Sequence, residues 1–276
     1  MICPWKELLS ILPQWLAHEV DNYSSETLQE LRLRAGQPPQ LVGKENIRWL
    51  QRKISINDLN FCVNAASRYS PWSSQTSAQG YITAAGGHRI GLCGSAVVHC
   101  GNMTGLQTIR SICIRIARDF PGISKQYTSF SGSILIIGPP GSGKTTFLRD
   151  YIREISAFET VAVVDERCEL FPEGYFQLGK SLDILSGCPK TTAIGTLLRT
   201  MGPATIAVDE ITAEEDCVAL QNAAWCGVRL IATAHAAATS DLYKRSLYEP
   251  LVRTNIFQNV FVMHRDKTLH VERIMP

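Results

Sequence analysis

Eight residues, Gly138-Pro139-Pro140-Gly141-Ser142-Gly143-Lys144-Thr145, match the pattern G-x-x-x-x-G-K-[ST] at every fixed position. These residue types suit the holding of a polyphosphate. Gly141 and Gly143 let the backbone curl until successive N–H groups, and the positive end of a following helix, point at phosphate oxygens. Lys144 adds a point charge for the β- and γ-oxygens, and Thr145 offers a hydroxyl to Mg²⁺. Thr146 extends the expected phosphate-binding set, which runs from Gly138 through Thr146. The flanks agree with the motif: residues 134–137 form an apolar run, and Phe147, Leu148, Tyr151, Ile152 and Ile155 then fall three or four apart. That is a strand, a loop and a helix in the order the motif needs.

A second acidic centre lies some sixty residues downstream. Residues 205–208 are apolar and are followed at once by Asp209-Glu210. A carboxylate at such a strand end can hold Mg²⁺ through water, and the next one can orient and deprotonate an attacking water. Two further polar clusters end apolar runs in the same way: Asp165-Glu166-Arg167 after 160–164, and His235 after 228–234. His235 is placed to sense a γ-phosphate, although polar residues also cap strand ends for structural reasons. The acidic run Glu214, Glu215, Asp216 is expected to be a solvated helix start, favoured by the helix dipole. It is not expected to hold a metal.

The elements that must position these residues follow from periodicity. From residue 134 onward, strands alternate with helices (191–201 and 216–227 among them), which implies a mostly parallel sheet with ligands at the carboxyl ends of its strands. The fold expected is α/β, a phosphate-loop domain with a mostly parallel sheet over 134–276, preceded by a smaller mixed α+β domain over 1–125 and a linker over 126–133. In the first part, Trp5, Leu8, Leu9, Leu12, Trp15 and Leu16 share a helical face that Pro13 splits in two. Leu31 and Leu33 alternate with Arg32 and Arg34 ahead of a Gly/Pro turn. A helix is expected from residue 57 to about 69, a polar loop over 70–79, and a β-hairpin about Gly86-Gly87. Ile112, Ile114 and Ile116 then alternate with Arg115. Arginines aligned on one strand face suit either an anion-binding edge or a solvated face.

Bulk properties narrow the classes. Hydrophobic residues make up 45% and charged residues 19%, ordinary for a globular chain. Twenty-seven basic residues against 25 acidic, a net charge of +2, argue against a basic nucleic-acid coat. No apolar run reaches the roughly eighteen residues of a membrane span, and residues 1–20 lack the pattern of an export signal, so a cytosolic location is expected. Nine cysteines without a C-x-x-C spacing are expected to be structural thiols, with Cys62, Cys113 and Cys226 as small buried hydrophobes.

Taken jointly, Leu31-Arg32-Leu33-Arg34-Ala35-Gly36-Gln37-Pro38, Gly87-His88-Arg89-Ile90-Gly91-Leu92, Ile114-Arg115-Ile116-Ala117-Arg118, Ile137-Gly138-Pro139-Pro140, Val164-Asp165-Glu166-Arg167 and Val208-Asp209-Glu210-Ile211 resemble the stage III sporulation protein AA family. That family is similar to the ATPases of type II, type IV and pilus secretion systems. The resemblance implies a RecA-like ATPase domain over 134–276, ATP and Mg²⁺ as ligands, and a hexameric ring of identical subunits. It implies a place in the mother-cell cytoplasm, recruited to the membrane through the proteins of a sporulation channel; the near-neutral charge argues that no nucleic acid is a direct partner. Asp165 and Glu166 correspond to an acidic "Asp box" and Thr233-Ala234-His235 to a "His box". Arg32, Arg34, Arg89, Arg115 and Arg118 become candidates for arginine fingers. The chain departs from the family over 72–79, in Ile211-Thr212-Ala213, over 168–190 and after His235. Two other classes remain in view: a RecA-like nucleic-acid-dependent NTPase and an ATP-gated assembly scaffold.

Overall fold

A computed structural model of the chain describes residues 1–23, 25–43, 46–68, 80–172 and 175–273. The expected loop at 70–79 lies outside the described residues, as does the departure at 72–79. The chain divides into two compact units, residues 1–119 with 172–176, and residues 120–171 with 177–276.

In the first unit two short helices, α1 (Trp5–Ser10) and α2 (Gln14–Asp21), flank Pro13, which occupies the N-cap position of α2, where its missing N–H costs nothing. Six strands follow, β1 (Leu28–Arg34), β2 (Gln40–Gly43), β3 (Ile47–Trp49), β4 (Tyr81–Thr83), β5 (Arg89–His99) and β6 (Asn102–Arg115). They pair antiparallel in the order β3-β2-β1-β6-β5-β4. Helix α3 (Ile56–Ala66) starts at a capping box in which Ser55 and Asp58 satisfy each other's backbone N–H groups. Period-two alternation sends Leu31, Leu33, Ile90, Ile112 and Ile114 into one core with Leu8, Leu16 and Leu59 from the three helices. Strands β2 and β3 are too short to signal themselves in the sequence; β2 forms on the edge that β1 offers, and β3 on the edge of β2. The glycine hairpin carries φ of 77° at both Gly86 and Gly87. Beside it, His88 is fully buried, its Nε2 2.8 Å from Pro4 O and its Nδ1 accepting from Ala117 N at 3.2 Å. That arrangement needs the neutral ring, and burial correspondingly holds its pKa below the usual histidine value.

The second unit begins with β7 (Ile134–Ile137) and α4 (Lys144–Ile155), then β8 (Val161–Asp165), β9 (Leu182–Ser186), α5 (Lys190–Thr200), β10 (Thr205–Val208), α6 (Glu214–Trp225) and β11 (Arg229–Ala234). It closes with α7 (Thr239–Lys244), α8 (Glu249–Arg253), β12 (Asn259–Met263) and β13 (Leu269–Arg273). The sheet runs β13-β12-β7-β11-β10-β8-β9 and is parallel except for the β12/β13 hairpin. Its central strands are apolar on both faces because helices cover both. Leu135 and Ile137 join a core with Ile194, Leu197 and Leu220 of α5 and α6, while Ile134 and Ile136 join another with Phe147, Leu148, Tyr151 and Ile155 of α4. Phe147, Tyr151, Phe261 and Tyr127 pack with ring centroids 5.6 to 6.0 Å apart. Such pairs add about 0.5–1.5 kcal/mol each beyond the area they bury. This interlocking makes α4, and the loop at its start, a rigid platform.

The stretch 126–133, expected as a linker, is pinned to the second unit: Arg229 donates to Phe130 O and Gly132 O, and Asn259 Nδ2 to Ser131 O. Just before it, the buried carboxylate of Asp150 accepts from Gly122 N, Ser124 N and Ser124 Oγ, each at 2.8 Å. Glycine and serine there provide turn geometry and hydrogen bonds as well as a break between elements. Of the cysteines, all free, Cys62 and Cys217 are buried, but Cys226 is exposed at the end of α6 and Cys113 only half-buried. Apolar neighbours in sequence do not place Cys226 inside, because it follows the last helical turn.

Candidate functional site

Loop 138–143 leaves the carboxyl end of the central strand β7 and feeds α4. Gly141 and Gly143 adopt φ of 76° and 103°, which side-chain-bearing residues rarely adopt. Gly138 is required by proximity: a Cβ there would fall 2.5 Å from Met263 O and 2.6 Å from Ser142 Oγ. Ser142 is buried, and its hydroxyl has no hydrogen-bond partner among the described residues. Pro139 is half-buried and Pro140 exposed on the outer limb of the loop, and Thr145 and Thr146 are half-buried in the first turn of α4. The first N–H groups of that helix have no intrahelical acceptor.

Lys144, only 6% exposed, turns its ammonium onto Gly138 O at 2.8 Å, Pro139 O at 3.1 Å and His235 Nδ1 at 3.1 Å. Burial lowers its pKa from the usual lysine value, countered by the nearby carboxylates of Asp209 and Glu210. Asp209 follows β10 and His235 follows β11, and those strands neighbour each other in register, so their ends face the loop together. Asp209 Oδ1 accepts from Thr145 Oγ1 at 3.3 Å and from Thr233 Oγ1 at 2.7 Å. Burial raises the Asp209 pKa above the ordinary aspartate value, and the two hydroxyls oppose the shift.

Glu210 sits in the left-handed region at φ 51°, a conformation that costs a residue of this type of order 1 kcal/mol or more. Thr233 supports it: Glu210 N donates to Thr233 Oγ1 at 2.7 Å and Ile211 N to Thr233 O at 2.8 Å. The Glu210 carboxylate then spans His235 Nε2 at 2.9 Å and Arg167 Nη1 at 3.1 Å. Lys144, Thr145, Asp209, Glu210, Thr233 and His235 therefore form one connected polar network. It combines donors for an anion, hard oxygens for a divalent cation, and a carboxylate aimed by two cationic or ring nitrogens. An orphaned hydroxyl on Ser142 and a glycine cradle at Gly138 suit a polyphosphate.

Other expected residues lie elsewhere or differently. Asp165 is buried at the end of β8, where its oxygens accept from Glu169 N, Leu170 N and Phe171 N at 2.8 to 3.2 Å. Burial raises its pKa; it ties down the following loop. Glu166 pairs with Lys190 Nζ at 2.6 Å, and the same buried ammonium lies 3.5 Å from Asp216. Asp216 is 6% exposed and accepts from Thr212 N and Ala213 N, so it caps α6 from inside, whereas Glu214 and Glu215 remain exposed. The expected solvated run thus loses its third member, because the helix dipole and Lys190 together favour a buried carboxylate there.

Arg32, Arg34, Arg89 and Arg115 belong to the first unit and occupy the polar face of its sheet. Arg89 is directly opposite Arg115, and Glu30 is opposite Arg115 on the other side. Arg32 pairs with Glu30 at 2.8 Å, Arg34 donates to Gln40 Oε1 at 2.8 Å, and Arg89 lies over the Tyr81 ring. Arg118 differs, donating to the carbonyls of Ser25 and Leu28. Sequence reasoning missed Lys190 as the partner of Glu166, and the role of Thr233 as the link between Asp209 and Glu210. The signal for Thr233 was a single hydroxyl in the otherwise apolar strand 230–234.

A strand, glycine loop and helix at the centre of a mostly parallel sheet, with acidic residues at the adjacent strand ends, define a RecA-like phosphate-loop α/β domain, which follows an α+β unit in the chain. The same fold is found in the ATPase DotB of Legionella pneumophila, with TM-score 0.59 and 18% identity, covering 95% of this chain and 80% of that one. It is also found in the pilus retraction motor PilT with bound ADP, with TM-score 0.61 and 15% identity, covering 89% and 76%.

The chain belongs to the family described as Sporulation stage III, protein AA, whose model matches residues 6–274. Stage III sporulation protein AA of Bacillus subtilis (strain 168) is 32% identical over 282 residues, 95% of this chain and 91% of that protein. Among the described residues, no helix is long and apolar enough to cross a membrane.

Proposed function

We propose that this chain is a Mg²⁺-dependent ATPase, a motor of the secretion-ATPase kind that powers a channel between mother cell and forespore. The observation that carries the reading is the network around Glu210: a carboxylate held by Arg167 and His235, on a backbone fixed by Thr233, beside Lys144 and Asp209. Thr145 and Asp209 would hold Mg²⁺, which supplies neutralisation of phosphate charge. Lys144 and the N–H groups of 143–146 bind the phosphates. Glu210 orients the attacking water and accepts its proton, with His235 and Arg167 fixing the carboxylate. Arg32, Arg34, Arg89 and Arg115 are the candidate charges that stabilise the transition state. Assembly into a hexameric ring in the mother-cell cytoplasm, and recruitment to the membrane by channel proteins, complete the reading.

Sedimentation and phosphate release with MgATP, on wild type and Glu210→Gln side by side, test it. The expected result is nucleotide-dependent assembly by both proteins and hydrolysis by wild type only. Undiminished turnover in the variant sinks the assignment of the base. A wild-type ring that binds ATP and never turns it over transfers the function to assembly.

A further inference from the structure

The end of β12 and the turn that follows it meet the phosphate loop at three points. Met263 O is the atom that excludes a Cβ at Gly138, Met263 Cε would lie 3.6 Å from a Cβ at Gly143, and Lys267 Nζ donates to Gly141 O at the loop's apex. Lys267 stays beside Gly143 as well, its Nζ 4.0 Å from where that Cβ would be. Its backbone has φ of 72°, and its N–H closes the turn onto His264 O at 3.1 Å. A lysine held in the left-handed region at a turn, where glycine or asparagine is preferred, signals a requirement for the side chain.

We propose that Lys267 is a second phosphate-binding lysine, which contacts the polyphosphate of the nucleotide from the outer side of the loop. This rests on the ATP reading above. Lys144 Nζ rests on Gly138 O and Pro139 O and Lys267 Nζ on Gly141 O, so two ammonium groups lie along one six-residue loop. A polyanion bound at that loop meets both charges, so its binding is favoured beyond what one lysine provides. The loop's glycines expose backbone N–H groups to that anion from one side. Lys267 brings its charge from a different element, the antiparallel edge of the sheet. Asp266 next door accepts from Thr268 N and Thr268 Oγ1, which fixes the turn that carries Lys267. Because the turn is braced in this way, the lysine reaches the loop without ordering a flexible segment.

Titration of the full chain with a fluorescent ATP analogue, in competition with ATP and ADP, measures the contribution. Lys267→Gly suits φ of 72° better than lysine and so preserves the turn while removing the charge. Lys267→Arg keeps the charge. Expected are about tenfold weaker ATP binding by the glycine variant, the loss of one charge-assisted hydrogen bond, a shallower dependence of that affinity on salt, and near-wild-type binding by the arginine variant. Melting temperatures should match among the three. Lys267→Gly binding ATP as wild type does, or Lys267→Arg losing as much as Lys267→Gly, overturns the proposal while leaving the ATP reading intact. If wild type itself binds no ATP, both fall.

Discussion

Replacing Thr233 by valine removes one oxygen and leaves the shape of the side chain. In the folded protein that oxygen donates to Asp209 Oδ1 and accepts from Glu210 N, both at 2.7 Å, at a residue 1% exposed. Losing a hydrogen bond to a carboxylate costs about 1.5–3 kcal/mol and stranding a buried N–H about 1–3 kcal/mol. Part of this is offset, since Asp209 keeps Thr145 and a methyl group is buried in place of the hydroxyl. A net loss of about 2–4 kcal/mol follows, which for a unit of this size lowers the melting temperature by roughly 4–16 °C. The larger effect is on position: Glu210 is at φ 51° because Thr233 holds its N–H, and a carboxylate that swings by an ångström costs about a hundredfold in kcat. Calorimetry and steady-state phosphate release on Thr233→Val and Thr233→Ser decide the matter, with serine retaining most of both quantities. A valine variant that melts within a degree or two of wild type with unchanged turnover refutes the reasoning.

Asp150→Ala removes the carboxylate that holds Gly122, Ser124 and, at 2.8 Å, Arg153; the expected cost is about 3–5 kcal/mol, with new protease cleavage within 120–133 that wild type resists. Burial raises the Asp209 pKa above its unfolded value, so the folded state takes up this proton first. The stability it contributes is present at low pH and is lost as pH rises through the folded pKa. Asp209→Asn should therefore melt higher than wild type at neutral pH, with the difference vanishing in acid, and should lose Mg²⁺-dependent turnover; a variant that melts lower at neutral pH contradicts the burial argument.

How much of this was legible depends on the range of the signal. The phosphate loop was complete in the sequence because its chemistry is local: the glycines with positive φ, the lysine and the threonine all lie within eight residues. Apolar strands ending in Asp165, Asp209 and His235 announced a parallel sheet, and period two separated Leu31 and Leu33 from Arg32 and Arg34. Short strands such as β2 and β9 carried no comparable pattern, since their existence depends on a neighbour's open edge. Asp216 and Cys226 were misjudged for a related reason: helix position predicts a preference for solvent, but Lys190 draws the aspartate inward, and the helix end leaves the cysteine outside.

The sequence by itself determined the chemical inventory, the class of fold and, through six scattered motifs, the family. Only the tertiary structure decided which groups meet. Glu210 with Arg167 and His235, Thr233 with Asp209, and Lys267 with Gly141 are separated by 24 to 126 residues. Those contacts depend on strand order and on the antiparallel return of β13. Backbone conformation and hydrophobic period are properties of a few consecutive residues, whereas strand order is chosen by the packing of both sheet faces at once. The residues that do the chemistry can therefore be named from the chain, but their partners cannot.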